Sequence, residues 1–148
     1  MYINNAKSSK IIEVIGNLYK VIIVFVWMKD SDRKIHELKE KIKYFCEERD
    51  WDQFHNAKEL AIALSIEASE LLEIFRWKTP EEVEALFKDE KKKEDIEDEM
   101  ADVLILLVRM AQMYDLDLAE AWDKKMEKNH QKYPVEKAFG QSKKYSEL

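Results

Sequence analysis

The chain has 148 residues, enough for one domain with a real core, and its two glycines and two prolines leave little room for strands and tight turns. Its net charge of −6 argues against a general nucleic-acid binder, while small phosphorylated ligands stay open because a bound cation inverts the local sign. The single cysteine, Cys46, excludes an internal disulfide framework and points to a reducing, cytoplasmic setting, where it reads as a small apolar helix residue.

The first element met along the chain is VIIVFVWM, residues 21–28, apolar but short of the ~20 residues that a bilayer span needs. No membrane role is expected. No small-residue cleavage site follows it, since Lys29, Asp30, Ser31 and Asp32 come next. Residues 1–27 are read as a non-native apolar extension ahead of a working domain at 28–148. The alternative is that they add a strand or helix to an oligomer surface.

The remaining pattern is helical throughout. A first helix is expected from about Ser31, as N-cap, to Arg49, with Ile35, Leu38, Ile42 and Phe45 as its stripe. After the loop RDWDQFH, the tetrad N-A-K-E gives Asn56 and Glu59 the form of a capping box, opening a helix that runs to about Trp77. Thr79-Pro80-Glu81-Glu82 supplies an N-cap, a proline at the first position and acids in the first turn of a short helix. The run KDEKKKED is expected to be solvated, followed by a long helix from Glu94 to Tyr114 that is apolar all round at 103–108 and so central to the core. Asp117 with Glu120 caps a last helix ending near Tyr133-Pro134, and the tail from Val135 looks irregular.

Two of these helices carry acids where a core stripe should be. In LSIEASELLEIF, Leu60, Leu64, Leu71 and Ile74 recur at buried spacing; Glu67 falls on that stripe and Glu70 at its margin. In EDEMADVLILLV, Glu99 and Asp102 repeat the spacing beside Ile96, Leu106 and Met110. If the helices pack as antiparallel neighbours, the four carboxylates converge. At ~5 Å and an effective dielectric of ~20, each like-charge pair then repels by roughly 3 kcal/mol, so a cation is needed. All-oxygen ligation suits Mg²⁺ or Mn²⁺ rather than zinc. Each pair taken alone reads more simply as a solvated helix face; its placement on the stripe in both helices is what raises a shared metal site. A di-iron bundle ranks below it, because Glu127 with His130 is the one credible Glu-x-x-His pair.

ERDWDQFH, IEASELLEIFRWK, EDEMADVLILLV, KMEKNHQKYP and the closing KKYSEL follow the order found in MazG-like nucleotide pyrophosphohydrolases, which the chain resembles over about residues 35–148. The branch containing the dCTP pyrophosphatases is the nearest in pattern. The resemblance implies a four-helix-bundle-like all-α NTP pyrophosphatase fold, assembled as a homodimer or as a homotetramer that is a dimer of dimers. It implies hydrolysis of (deoxy)nucleoside triphosphates to the monophosphate and pyrophosphate, serving nucleotide-pool sanitation. Glu67, Glu70, Glu99 and Asp102 match that family's Mg²⁺ ligands. Glu67 or Glu70 is expected to be the catalytic base. Trp51, His55 and Trp77 match positions lining the nucleoside pocket, and Lys125 and Asn129 match positions that hold the phosphates.

Departures bear on specificity. Ile42 and Leu106 stand where dCTP-specific relatives carry a histidine and a tyrosine, which removes base-discriminating hydrogen bonds and predicts a broader or different preference. His130 replaces a common arginine. Arg109, seven residues past Asp102, is read as a snorkelling side chain that could assist at the phosphates. The alternatives are a relative acting on dUTP or phosphoribosyl-ATP, and a helical oligomerisation module with a vestigial acid cluster.

Overall fold

A computed structural model describes residues 29–147; the expected extension at 1–27 lies outside them. The described residues are helical, with no strand among them and no helix long and apolar enough to cross a membrane. The described residues divide into two compact units on either side of the Asp52–Gln53 bond.

In the first unit a single 3₁₀ turn, Asp30–Asp32, precedes helix α1, Ile35–Glu47. Helix α1 therefore starts later than Ser31: Lys34 is its N-cap, and the Lys34 N–H donates to Glu37 Oε2 at 3.4 Å. Cys46 is buried on α1 as a free thiol. The chain then turns so that the Trp51 N–H donates to the Cys46 carbonyl, and the Trp51 ring meets Phe45 edge-on with centroids 5.7 Å apart.

In the second unit, α2 (Ala57–Phe75), α3 (Pro80–Leu86), α4 (Glu90–Met113), α5 (Leu118–Lys132) and a four-residue turn of helix, α6 (Val135–Ala138), follow in order. Local capping explains most of the starts. The Asn56 side chain accepts from the Glu59 N–H, Thr79 and Glu82 form a reciprocal capping box around Pro80, and Asp117 accepts from the Glu120 N–H. Helix α4 begins four residues earlier than the sequence suggests. Asp89 accepts from the Lys92 N–H, and Lys91, Lys92 and Lys93 pair with Asp95 and Glu97 one turn on, so the charged run is the helix's first two turns. The tail is less irregular than expected. A 3₁₀ turn at Tyr145–Glu147 brings the Tyr145 ring edge-on to Tyr133, with the Lys132 ammonium 4.9 Å from its centroid.

The principal packing is α2 against α4. The Ala57 N–H donates to the Tyr114 hydroxyl at 2.7 Å while Glu67 and Glu70 lie against Glu99, so the two helices run antiparallel. Leu60, Ile96, Val108 and Ala111 are buried on these two helices. Helix α4 is central, as its apolar run suggests, carrying Ile96, Val108, Arg109 and Ala111 into the core, yet Leu104, Ile105 and Leu107 of the same run are each more than two-fifths exposed.

Candidate metal and nucleotide site

The stripe that buries Leu60 on α2 carries Glu67 inward two turns later. On α4 the same logic runs from Ile96 to Glu99. One side-chain oxygen each from Glu67, Glu70 and Glu99 lie within 4.8 Å of one another. Glu67 and Glu99 are half-buried, and Glu70 faces solvent at the rim. Asp102 stands outside this three-oxygen group. It lies one turn further along α4 on a side chain shorter by one methylene, yet its charge still bears on both Glu67 and Glu99.

The electrostatics are those of a site short of positive charge. Burial, then the charges of Glu70 and Asp102, push the Glu67 carboxyl above its ordinary value. Burial, then Glu70, Glu67, Asp102 and Asp98, do the same to Glu99. Glu99 Oε2 is buried with no hydrogen-bond partner. A buried carboxylate oxygen left this way is costly unless something else meets it. Along these two helices Arg76 pairs with Glu73, Lys58 with Glu59, Lys92 with Asp95 and Lys93 with Glu97. An all-oxygen cluster of three acids with an orphaned buried oxygen fits a hard divalent cation held by Glu67, Glu70 and Glu99.

His55 immediately precedes the α2 cap; its Nδ1 accepts from Arg109 Nε at 3.1 Å. Trp77 follows the C-cap of α2 with a positive φ of 62° and is 87% exposed, its indole approached by the Arg76 guanidinium at 5.1 Å. Lys125 and Asn129 sit four residues apart on α5, hence on one face of it, with Lys125 exposed and Asn129 half-buried. Neither is drawn into the carboxylate group. Trp51 belongs to the first unit, and its expected role rests on its motif.

Two features escape the sequence. Arg109 does not snorkel: it is 2% exposed, bonded to His55 and Gln112. The signal available was its place on the apolar side of α4, two turns from Asp102. An open groove of about 680 Å³ also runs along the solvent side of α2, past Ala61, Ile62, Ser65, Ile66, Ser69 and Glu70. The hydroxyls of Ser65 and Ser69 bond back to their own helix, to the Ala61 and Ser65 carbonyls, which leaves the groove largely apolar.

Comparison with known proteins gives a consistent picture. The model of the MazG-like family matches residues 62–148. The mouse and human proteins called dCTP pyrophosphatase 1 are each 40% identical over 104 residues, 70% of this chain and 61% of their own length. The bovine protein of that name is 35% identical over 118 residues, 80% of this chain and 70% of its own. A crystal structure described as a pyrophosphatase from Archaeoglobus fulgidus superposes with a TM-score of 0.64 at 35% identity, covering 74% of this chain and 98% of that one.

Proposed function

The chain belongs to the MazG-like family, and on that premise we propose that it hydrolyses (deoxy)nucleoside triphosphates to the monophosphate and pyrophosphate with Mg²⁺ or Mn²⁺. The matched stretch spans 61% of the mouse and human relatives, whose printed activity on dCTP supports a pyrimidine deoxynucleotide as the first substrate to try. The observation that carries the proposal is the meeting of Glu67, Glu70 and Glu99 within 4.8 Å around the unpartnered Glu99 Oε2.

The reaction breaks the bond between the α-phosphorus and the oxygen bridging to the β-phosphorus as water adds to the α-phosphorus; that bridging oxygen leaves on pyrophosphate. Glu67, Glu70 and Glu99, with Asp102 beside them, would hold the divalent cations, which would supply positive charge at the triphosphate oxygens and a more acidic water. Glu67 is the proposed base that takes the water proton, since its carboxyl is half-buried and already held above its ordinary value. Glu70, at the solvent rim, is the alternative base. Lys125 and Asn129 are proposed to contact the leaving phosphates, one as a point charge and the other as a donor. Trp77 presents a flat, exposed ring for the base, and His55 a polar edge.

A second copy of the chain is part of the proposal. Ile62, Ile66 and Leu72 on α2 and Met100, Leu104, Ile105 and Leu107 on α4 are 41–67% exposed in one chain. Apolar surface on that scale marks an association face. The groove along α2 runs from Lys58 past Glu70 to Glu73, so a partner seated there would also lie beside a carboxylate of the site.

The test is a panel of NTPs and dNTPs, canonical and modified, with and without Mg²⁺, with products identified by mass. Monophosphate and pyrophosphate formed only with metal, and lost in Glu67→Gln with helicity intact, is the expected result. A folded, metal-supplied protein that turns over nothing would leave the oligomerisation module in its place.

A further inference from the structure

Arg109 is a fully buried cation that the proposed reaction does not use. It lies two turns past Asp102 on α4, 2% exposed, where a leucine or methionine would pack without the cost of desolvating a charge. What it does there is specific. Its Nε donates to His55 Nδ1 at 3.1 Å, and its Nη1 donates to Gln112 Oε1 on the same helix. Gln112 thereby holds the far side of the fork, and the guanidinium plane has two fixed partners.

A guanidinium is always charged and only donates. The nitrogen it meets must therefore carry a lone pair, so His55 Nδ1 is unprotonated and the ring proton sits on Nε2. His55 is thus held as one neutral tautomer with Nε2–H as a donor. Its backbone is held too, because the Ala57 N–H two residues on donates to the Tyr114 hydroxyl. The two bonds tie the entry to α2 onto the last turns of α4, and His55 itself is only half-buried.

We propose that Arg109 is a positioning residue that locks His55 in the Nε2–H tautomer, so that the ring donates a hydrogen bond to an acceptor atom of the bound nucleotide. The nucleotide half of this inference rests on the function proposed above. Arg109 touches no substrate; it acts through His55.

The test reads the tautomer directly. Long-range ¹H–¹⁵N spectra of ¹⁵N-histidine-labelled full-length protein resolve the three histidines, with His55→Gln assigning the signal of interest. In the wild type at neutral pH, His55 shows an unprotonated Nδ1 and a protonated Nε2. Arg109→Met loses that preference, and Arg109→Lys, which still donates, retains much of it. In turnover, Arg109→Met raises KM about tenfold with kcat nearly unchanged, as expected for loss of one uniform binding contact. Adding Arg109→Met to His55→Gln costs nothing further, whereas a purely structural role would add. A protonated Nδ1 in the wild type overturns the proposal without any variant, which keeps it falsifiable if Arg109→Met does not fold. An unchanged tautomer in Arg109→Met, or additive losses in the double variant, overturns it as well. Wild-type protein that hydrolyses no nucleotide removes the functional reading and the nucleotide half together, while the tautomer result identifies which part failed.

Discussion

Glu99 holds a poorly satisfied carboxylate. Its buried oxygen has no partner, and the acids around it raise its proton affinity, as they do that of Glu67. The sign of the consequence is fixed by linkage: with folded-state values above the unfolded ones, the folded chain binds protons more tightly. The associated stability is fully present below the ordinary glutamate value and is lost as pH rises through the raised values. At neutral pH the metal-free protein carries the repulsion in full. Glu99→Gln is therefore expected to raise the Tm of metal-free protein at pH 7 and to leave it nearly unchanged in acid. It should also abolish the upward Tm shift that Mg²⁺ gives the wild type. A variant that melts lower at pH 7, or still responds to Mg²⁺, contradicts the site. Trp77 shows the opposite trade. It occupies the left-handed position after the α2 cap, where glycine is the usual residue, with its ring almost fully in solvent. Trp77→Gly should gain about 0.5–1 kcal/mol in urea unfolding by relieving the positive φ. It should raise KM about tenfold or more, since stacking on a base is worth about 1–3 kcal/mol. A stability loss, or an unchanged KM, would show that the ring is there to pack.

At the scale of elements, what was legible in the sequence was what is local. Asn56, Thr79 and Asp117 each cap a backbone N–H three residues ahead, and the residue types alone announce it. The start of α4 was misplaced because KDEKKKED has no apolar periodicity; its helix is held by Asp89 and by lysine–acid pairs one turn apart, which composition reads as a solvated run. The acid pairs were legible as positions on stripes, but that Glu99 and not Asp102 joins the Glu67–Glu70 pair depends on helix register. The contacts that tie α2 to α4 were not legible at all. The Tyr114 hydroxyl meets the Ala57 N–H across 57 positions, and Arg109 meets His55 across 54. Tyr114→Phe isolates one of these. It should cost about 1 kcal/mol in equilibrium unfolding, the usual net worth of such a bond. No change in unfolding would mean that water replaces the hydroxyl at the α2 entry.

At the scale of the whole molecule, among the described residues the central apolar residues of α4 and the groove side of α2 are open, and Glu70 lines that groove. The proposed assembly would cover this apolar face. Ile62→Asp, on an exposed position of α2 about two turns before Glu70, is expected to shift light-scattering mass to that of one chain and to lower activity with it. A wild-type protein of single-chain mass at working concentration would contradict the proposed assembly.

The most direct measurement of the central claim is hydrolysis in ¹⁸O-labelled water with Mg²⁺, following which product takes the label. Attack at the α-phosphorus places ¹⁸O in the nucleoside monophosphate, leaves pyrophosphate unlabelled, and disappears in Glu67→Gln. Label in the pyrophosphate, release of diphosphate and free phosphate, or full turnover in Glu67→Gln would contradict it.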